Sequence, residues 1–555
     1  MRVFSAFSRR ILCGVLAIIL SFSIATAAFA ESVPQRTVLY NGTFTLHIPD
    51  GTTVEKDFFY SDNYFSRSGT LSDPHMKTTS AAISFSLCDM AEENGVEDSI
   101  LKKIGFSDIE MIDMDHYAKD SIGTVLAQKR IKDHTAVAVM LRGYDYDNEW
   151  ASNFTASSEG DIKGFKDAAA LVEERLSAYL SKHHIDSAKI WMTGYSRSAA
   201  IANLVGKDLN ESPQNYFTSV DDIYVYTFEA PASCADETIC ENIHNVIDSS
   251  DLIPYFYPQG WGLYRCGVTE PIGDAQKTIM AKKFFLFSEN LMTDFDTVNL
   301  SDFLSDFMNH LSQHISRQTY TEEMQDYICY MIDRYYSFND EEKEIFSAFM
   351  EQFSANLLMD ENLSNVIIGL VLNGSKDSSY EALAYLINSN LDKTAILVDS
   401  PFSDDELSYI EEGVHSIILA CKPAIQADLN TKKVKDGKTV TVPLYYLLTL
   451  LGNIEEIIPY HYNITVFDQL VSADSYYSDI QLRRIGDADA DRKISILDAT
   501  AIQKHLAQIS RLGQDSLEVA DVDDDQVVSV LDATYIQKYL AGMENPYLVN
   551  AYLDE

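Results

Sequence analysis

The sequence predicts an α/β domain that is interrupted by a large helical insertion and followed by a small all-α module. Three observations predict this organisation. Apolar strands alternate with amphipathic helices from residue 134 to residue 251, residues 272–455 contain successive helical patterns with few glycines, and an acidic segment near the carboxyl end occurs twice. Because 555 residues exceed what one compact core holds, the length predicts two or three folding units. The patterns divide the chain into residues 31–475 and residues 476–555.

Residues 1–30 are predicted to be a signal peptide that belongs to neither unit. Arg9 and Arg10 precede a 19-residue apolar run, and Ala28 and Ala30 supply the small side chains that a signal peptidase reads. The mature chain would begin at Glu31 and would be extracytoplasmic. An uncleaved signal anchor is the alternative, since 19 residues could just span a bilayer. No later apolar run has that length, so we expect no stable membrane span in the mature protein.

The composition excludes some partners and one structural class. The formal net charge is -42, and it becomes about -45 without the signal peptide. Such a surface repels phosphate groups, so neither nucleic acid nor an anionic membrane is an expected partner. Six cysteines remain after the signal peptide, too few for a disulfide scaffold in a chain of this length. Cys234 and Cys240 are close enough in sequence to pair, and buried free thiols are the alternative.

The α/β domain is predicted from runs of β-branched and apolar residues that are separated by amphipathic helices. The predicted strands are residues 134–143, 188–194, 222–231 and 241–251, and the predicted helices are residues 164–183 and 197–209. Strands and helices in this alternating order imply a parallel sheet. Functional side chains in such sheets lie at the carboxyl ends of the strands.

A tight turn at this edge carries the candidate nucleophile, Ser196. The stretch "TGYSRSAAIANL" (193–204) joins a strand to a helix, so Gly194 and Ser196 fall in the turn between them. Such a turn lifts the hydroxyl out of the sheet and directs helix N–H groups toward an oxyanion. Ser198 stands where the pattern G-x-S-x-G has its last glycine, and it is small enough for close packing. Taken alone, the match is equally compatible with a purely structural turn.

Four segments in this region resemble segments of class 3 (fungal-type) lipases. They are "VAVMLRGYDYDNEWASNF" (137–154), "GFKDAA" (164–169), "VYTFEAPAS" (225–233), which is similar to the strand T-F-G-x-P, and "NVIDSSDLIPYFYP" (245–258). The resemblance implies an α/β-hydrolase fold and the activity of a serine ester hydrolase. It also implies that Asp251 is the catalytic acid, and it implies no cofactor for catalysis.

The base that activates a catalytic serine is a histidine, which follows the acid along the chain in this fold. The histidines after Asp251 are His310, His314, His415, His461 and His505. His461 lies in a proline-containing loop ahead of an amphipathic stretch, where the resemblance implies the histidine, and we predict that it is the base. His310 and His314 are four residues apart on a predicted helix, where they could bind a metal or face solvent.

The backbone N–H groups of Arg197 and Tyr144 are predicted to form the oxyanion hole. Arg197 follows the nucleophile, and Tyr144 follows the strand that ends at Gly143. Each fixed donor of this kind typically lowers the barrier by about 3 kcal/mol. The lipases have a small hydroxyl residue where Tyr144 stands, so the substitution is expected to remove a side-chain donor.

The 209 residues between Asp251 and His461 are far more than the lipase resemblance needs. Residues 272–455 are therefore predicted to be a helical insertion that caps the active face and shapes an acyl or alcohol pocket. We expect this insertion, rather than the catalytic residues, to determine the choice of substrate.

Residues 487–508 and 521–542 are two copies of one 22-residue segment, identical at 13 positions. Each copy has aspartates at loop positions 1, 3, 5 and 12 and a serine at position 9, followed by an apolar helical stripe. Oxygen ligands on alternate loop residues, a backbone carbonyl at position 7 and an acid one turn into a helix suit Ca²⁺. The predicted ligands of two calcium ions are Asp487, Asp489, Asp491, Lys493, Ser495 and Asp498 in the first loop and Asp521, Asp523, Asp525, Val527, Ser529 and Asp532 in the second.

Residues 484–545, which contain both copies, resemble a type I dockerin, the module that attaches secreted enzymes to a cohesin on a scaffold protein. The resemblance implies that loop positions 10 and 11 contact the cohesin, and these are Ile496, Leu497, Val530 and Leu531. The similarity of the two copies would allow docking in two orientations. The chain departs from the pattern at loop position 6, where Arg492 and Gln526 replace a glycine, which suggests strain and weaker calcium binding.

Together, these features predict a secreted, extracellular serine ester hydrolase that its dockerin attaches to a cohesin scaffold and that acts on lipid or polysaccharide-linked esters. The alternative is a non-catalytic binding or adhesion subunit with a decayed hydrolase fold, suggested by Ser198, Tyr144 and the large insertion. A glycoside hydrolase would fit the dockerin, but the rest of the chain has no pair of acids on successive strand ends. Peptidase chemistry by the same residues stays open.

Overall fold

The structure is a computed structural model of the chain. It describes residues 38–48, 52–88, 99–114, 121–143, 147–274, 276–281, 296–363, 365–366, 377–429, 432–435, 438–441, 456–473, 483–545 and 547–553. The chain forms two compact units. The first contains residues 43–58 and 64–478, and the second contains residues 479–555, residues 59–63 and the described residues up to Gly42. The predicted signal peptide, residues 1–30, lies outside the described residues.

The first unit is built on a seven-stranded sheet. Before the sheet, the chain forms strands β1 (Val38–His47) and β2 (Thr53–Tyr60) and helices α1 (Pro74–Cys88) and α2 (Ile100–Lys103). The sheet strands are β3 (Ser107–Ile112), β4 (Thr124–Ile131), β5 (His134–Leu141), β6 (Ala188–Tyr195), β7 (Ile223–Phe228), β8 (Ile243–Asp248) and β9 (Val268–Ile272), and their order in the sheet equals their order in the chain. Helix α3 (Lys163–Lys182) connects β5 to β6, and helix α4 (Arg197–Glu211) connects β6 to β7.

The sheet is mixed, because strands β3 and β4, which were not predicted, add antiparallel pairs to the expected parallel sheet. Strands β5 to β8 are parallel, as predicted, and β9, which was not predicted, continues the parallel part, but β3, β4 and β5 pair antiparallel. The reason is the connection between β4 and β5, which is the two-residue turn Lys132–Asp133. Two residues suffice for a hairpin, whereas a parallel connection needs a dozen or more.

Helices cover both faces of the sheet, so the strands that carry the site are buried. On β6, Ile190 and Met192 belong to the cluster that α3 and α4 form with the sheet. Trp191 points to the other face, where its Nε1 donates to Ser80 Oγ of α1 at 2.8 Å. The carboxyl ends of β6, β7 and β8 are therefore held from both sides.

Residues 272–455 contain the expected helices and also two short hairpins that were not predicted. The described elements are β10 (Thr278–Ala281), β11 (Asp296–Asn299), α5 (Leu300–His314), α6 (Arg317–Thr319), α7 (Gln325–Tyr336), α8 (Asp340–Met359), α9 (Asp377–Leu397), α10 (Asp404–Leu429), β12 (Lys432–Lys435) and β13 (Lys438–Thr441). Phe349, Leu391 and Ile410 form a core shared by α8, α9 and α10. Helix α11 (Asn463–Ala473) then returns to the sheet unit.

The second unit is mainly helical, with helices α12 (Ile496–Leu506), α13 (Gln514–Ala520) and α14 (Val530–Leu540). Its core pairs equivalent residues of the two repeats, such as Ile502 with Ile536. The prediction of an all-α module missed one short strand, β14 (Tyr552–Leu553), which pairs with Val38 and Leu39.

The described cysteines form no disulfide bond, and the described helices do not suit a membrane span. The six described cysteines are free thiols, and Cys234 and Cys240 do not pair with each other. Among the described residues, every helix is too short or too polar to cross a bilayer.

Candidate active site

Ser196 lies in a strained turn between β6 and α4. Its backbone has φ 58° and ψ -122°, a conformation that residues with a Cβ rarely adopt. The turn is compact because a Cβ at Gly143 or at Gly194 would collide with a backbone carbonyl oxygen, that of Tyr195 or of Ser198. This geometry raises the side chain above the end of the strand, and the Ser196 side chain remains 8% exposed.

Ser198 has a structural role that its position in the pattern does not reveal. Its Oγ accepts from the Tyr195 N–H at 2.8 Å and lies 3.2 Å from the carbonyl oxygen of Leu141 on β5. The hydroxyl therefore joins the turn to the neighbouring strand. A serine in place of the usual glycine is accommodated here, because its polar group is hydrogen-bonded within the turn.

Ser196, His461 and Asp251 form one chain of hydrogen bonds in the structure. Ser196 Oγ lies 2.9 Å from His461 Nε2, and His461 Nδ1 lies 2.5 Å from Asp251 Oδ2. The other oxygen of Asp251 accepts from the Ile253 N–H at 2.9 Å. A carboxylate facing Nδ1 favours the tautomer with the proton there, which leaves Nε2 able to accept from the serine hydroxyl.

His461 is held by the residue that precedes the nucleophile and by the insertion. Its ring stacks on that of Tyr195, with centroids 5.1 Å apart and planes 21° apart, and the Tyr195 hydroxyl donates to the His461 carbonyl oxygen. Tyr460, the residue before it, packs with Leu300 and Leu304 of α5. Chain order predicted His461, but no pattern in the sequence indicated the contribution from Tyr195.

The structure describes one of the two predicted oxyanion donors, Arg197. Arg197 is the first residue of α4, so its N–H lies at the helix end that attracts anions. Tyr144 lies outside the described residues. Both assignments stay predictions.

A buried ion cluster supports this side of the site. The side chain of Arg197 lies 3.5 Å from Glu149 Oε2, that of Arg142 lies 3.6 Å from the same oxygen, and all three residues are buried. Arg197 also donates to Ser152 Oγ at 2.9 Å. Burial raises the pKa of Glu149, and the two guanidinium groups oppose that rise. The cluster ties the turn after Ser196 to the segment after β5, although no sequence signal pointed to Glu149.

Two further buried carboxyl groups lie behind Asp251. Asp248 ends β8, and Glu229 follows β7 with a φ of 54°. Acids therefore do occur at successive strand ends, contrary to the sequence-based expectation, and both are completely buried. The Asp248 N–H donates to both oxygens of Glu229, at 2.9 and 3.1 Å. Asp248 also accepts from Gln469 of α11 at 2.8 Å, which links the helix after His461 to the acid loop. Burial, followed by the charge of Asp251, raises the pKa of Asp248 to about 6.

An apolar cavity of about 120 Å³ opens beside Ser196 and His461. Besides Asn153, Arg197 and these two residues, it is lined by Trp150, Phe154, Phe165, Pro231, Ile253 and Phe256. The insertion supports this wall, because Tyr336 of α7 stacks on Trp150 with ring centroids 6.0 Å apart. The Tyr320 hydroxyl donates to the Phe154 carbonyl oxygen at 2.6 Å.

The other candidate histidines lie elsewhere. His310 and His314 are on α5 with ring centroids 5.2 Å apart, and His415 is on α10. His505 is on α12, where its Nδ1 accepts from the Leu512 N–H at 3.1 Å. Among the described histidines, the structure joins His461 to Ser196.

The acidic loops of the second unit bring their first three aspartates together. In each loop these carboxylates, Asp487, Asp489 and Asp491 in the first and Asp521, Asp523 and Asp525 in the second, lie within 4.8 Å of one another. Asp487 Oδ1 and Asp523 Oδ1 are buried and accept no hydrogen bond. Oxygen atoms in such positions fit a divalent cation. Asp498 and Asp532, at position 12, are fully buried and accept from the N–H groups of Ser495 and Ser529, both at 2.7 Å.

Loop position 6 adopts the backbone conformation that glycine usually supplies. Arg492 has φ 67° and Gln526 has φ 68°. Each of their N–H groups donates to the first aspartate of its loop, at 3.0 and 2.9 Å. The loop geometry is therefore kept at some backbone strain.

The four predicted cohesin contacts are exposed apolar residues. Their exposed fractions are 55% for Ile496, 58% for Leu497, 61% for Val530 and 51% for Leu531.

Comparison with known proteins gives two family matches. Residues 133–260 match the family model for lipase (class 3), and residues 485–541 match that for the dockerin type I domain. No curated protein matches the chain.

Several lipase structures are similar to part of the chain. A lipase from Rhizopus microsporus var. chinensis has 14% identity and a TM-score of 0.28, covering 41% of this chain and 81% of its own. Lipase II from Rhizopus niveus has 14% identity and a TM-score of 0.28, covering 44% and 92%. Lip2 lipase from Yarrowia lipolytica has 15% identity and a TM-score of 0.26, covering 42% and 83%.

The two family models carry more weight than these structures, whose TM-scores are low. The match over residues 133–260 contains β5 to β8 with Ser196 and Asp251, and the match over residues 485–541 contains both acidic loops. The chain therefore combines a segment similar to the class 3 lipases, which supports a lipase-type ester hydrolase with an α/β fold, with a segment similar to the type I dockerins.

Proposed function

We propose that the protein is a secreted serine ester hydrolase whose catalytic domain is residues 31–475 and whose dockerin, residues 476–555, attaches it to a cohesin on a scaffold. The observation that carries the catalytic part is the chain of hydrogen bonds from Ser196 through His461 to Asp251, with distances of 2.9 and 2.5 Å. A serine hydroxyl becomes a useful nucleophile when an oriented imidazole takes its proton.

In the proposed reaction, Ser196 Oγ attacks the ester carbonyl carbon while its proton moves to His461 Nε2. Asp251 keeps His461 oriented and stabilises the imidazolium that forms. The imidazolium then gives the proton to the leaving alcohol, which leaves an acyl group on Ser196. Water, deprotonated by His461, releases the acid and restores the serine. The N–H groups of Arg197 and Tyr144 are the proposed donors to the oxyanion.

The size of the apolar cavity supports an ester with a short acyl group. Its volume is about 120 Å³, and a protein cavity of about 150 Å³ is known to hold one benzene molecule. A straight acyl group of roughly five carbon atoms is therefore the expected limit for full burial. Trp150, Phe154 and Phe256 provide an apolar lining for such a chain.

Labelling with a fluorophosphonate tests the nucleophile. We expect wild-type protein to be labelled and to hydrolyse p-nitrophenyl butyrate, and the variant Ser196→Ala to do neither. Ser212→Ala is the matched control, because Ser212 caps the other end of the same helix. Labelling of Ser196→Ala at the wild-type level would contradict the assignment, and loss of labelling in Ser212→Ala would point to unfolding instead.

For the second unit, we propose two calcium sites and a cohesin contact through Ile496, Leu497, Val530 and Leu531. Buried aspartate oxygens without hydrogen-bond partners and four exposed apolar side chains support this assignment. Titration of the calcium-free full chain with CaCl₂ in a calorimeter is expected to show two sites per molecule. Asp487→Ala should remove one site and leave the other, and an unchanged stoichiometry in this variant would contradict the ligand assignment.

Cohesin binding and secretion have separate tests. Binding to a panel of type I cohesins should be lost in EGTA, and replacing both Leu497 and Leu531 by Asp should weaken it while calcium binding persists. Equal binding by this double variant would contradict the proposed contact. Sequencing of protein recovered from the culture medium should show Glu31 as the first residue.

A further inference from the structure

Glu229 is a buried acid in an unusual backbone position directly behind the proposed catalytic acid. It follows β7, is completely buried, and has a φ of 54°. The strand reads T-F-E-A-P, so Glu229 occupies the position of the glycine in the lipase pattern T-F-G-x-P. A glycine would adopt this conformation without strain. Glu229 therefore stands at a position whose backbone conformation would suit glycine better.

The surroundings of Glu229 contain two other carboxyl groups. Both of its oxygens share the N–H of Asp248, and its carboxyl lies within hydrogen-bonding reach of Asp251. All three acids are at most 1% exposed. Tyr255 faces the same space and is partly buried.

Cations also face this group of acids: the charge of Lys277 acts on Asp248, and Arg265 faces Glu229. Arg265 Nη1 donates to the carbonyl oxygens of Pro254 and Ala230, at 2.8 and 3.2 Å. The guanidinium is thus engaged by neutral acceptors. Three ionised carboxylates packed together in a buried position would repel one another strongly, so one of them is best accommodated as the neutral acid.

We propose that Glu229 carries a proton at neutral pH and donates it in a hydrogen bond to Asp251, which makes Glu229 a positioning residue for the catalytic acid. This inference rests on the proposed function. With His461 Nδ1 at 2.5 Å and the Ile253 N–H at 2.9 Å, Asp251 would then receive a third donor. Three donors fix the carboxylate in one orientation next to the imidazole.

Burial and charge act in the same direction on this acid. Burial, followed by the negative charge of Asp251, raises the pKa of Glu229 well above its ordinary value. The N–H of Asp248 lowers it, and the charge of Asp248 raises it. Asp251 already accepts from the histidine and from a backbone N–H, so it is the acceptor in the proposed bond.

Infrared difference spectroscopy tests the protonation without any need for activity. At pH 7, wild-type protein should show the carbonyl stretch of a protonated carboxylic acid that Glu229→Gln lacks. Glu270→Gln is the control, because Lys77 and His244 pair with Glu270 and keep it ionised. An unchanged band in Glu229→Gln would overturn the inference, whether or not the protein hydrolyses esters.

Kinetics test the positioning role. Glutamine keeps a neutral donor, so Glu229→Gln should retain kcat within about threefold and keep the acid limb of the pH profile in place. Glu229→Met keeps the volume without a donor, so its kcat should fall about tenfold at unchanged KM.

Two kinetic results would contradict the role of Glu229. If Glu229 were ionised, Glu229→Gln would remove a negative charge beside Asp251 and move the acid limb to lower pH. Full activity of Glu229→Met would show that the donor does not matter. A wild-type protein that shows the infrared band but no hydrolysis would instead refute the proposed function and leave the protonated Glu229 in place.

Discussion

Replacing Asp251 by asparagine gives a sharp test of the proposed catalytic chain, because the structure dictates which way the new amide must face. Asp251 Oδ1 accepts from the Ile253 N–H at 2.9 Å, and Oδ2 accepts from His461 at 2.5 Å. In Asp251→Asn the single carbonyl oxygen will keep the bond to Ile253. The NH₂ group must then face His461 Nδ1, which can only accept from it.

This arrangement moves the imidazole proton to Nε2, where it blocks acceptance of the Ser196 proton. Loss of the correct tautomer in a serine hydrolase costs about 10⁴ in kcat, or about 5.4 kcal/mol in the barrier. The fold should persist, since the substitution also removes one of three neighbouring buried acids. We therefore expect Asp251→Asn to lose activity by about 10⁴ while its Tm stays equal or rises.

The assay is hydrolysis of p-nitrophenyl butyrate at pH 7, with Tm measured by calorimetry on the same samples. Asp248→Asn is the matched control. Asp248 is equally buried and lies three residues away, but its partners are Ser250 and Gln469 rather than His461. A loss of less than tenfold in Asp251→Asn, or an equal loss in both variants, would refute the reasoning.

The remaining predictions concern the acyl pocket, a calcium loop and acid stability. Phe256→Ala enlarges the cavity beside Ser196, so the preferred acyl chain in a p-nitrophenyl ester series should lengthen by about two carbons or more. Arg492→Gly relieves a φ of 67°, so calcium should bind the first loop about fivefold more tightly in calorimetry, equivalent to about 1 kcal/mol. Burial raises the pKa of Glu270, but hydrogen bonds from His244 and Lys77 outweigh it and bring the pKa to about 2. Its contribution to stability is therefore present above pH 4.5 and is lost as the pH falls toward 2, so the Tm difference between wild type and Glu270→Gln should shrink over that range.

Each of these predictions has an outcome that would contradict it. An unchanged chain-length preference in Phe256→Ala would mean that the acyl group binds elsewhere. Weaker calcium binding by Arg492→Gly would show that the arginine side chain, rather than backbone strain, governs affinity. A Tm difference for Glu270→Gln that stays constant from pH 7 to pH 2 would exclude the ionised pair as its cause.

The turn at Ser196 and the strand and helix on either side of it were predictable because their sequence signals are local. An apolar run, a glycine and a serine before small helix-forming residues define β6, the turn and α4 within about twenty residues. His461 was predictable only through chain order and the lipase resemblance, because nothing in its own sequence surroundings shows that it lies near Ser196. The family comparison confirms the class of domain, while the roles of the three residues stay predictions.

The features that were missed depend on contacts between distant residues. Strands β3 and β4 were not predicted, and β3 pairs with residues of β4 that are up to 21 positions away in the chain. Glu149 and Glu229 look like ordinary acids in sequence, and their meaning comes from burial next to Arg197 and Asp251. Tyr195 carries no signal in the sequence, and its role comes from the stacking of its ring on His461.

Helix α5 makes the large insertion something other than a removable lid. Leu300, Phe303 and Leu304 pack against Ile457 and Tyr460, just before His461, and against Leu252 and Tyr255, just after Asp251. The same helix thus braces both loops that meet at the imidazole. A shortened or exchanged insertion should therefore keep its first helix, α5, and differ only from residue 317 onward. Without α5, the acid and the base would lose their mutual alignment even if every catalytic side chain were intact.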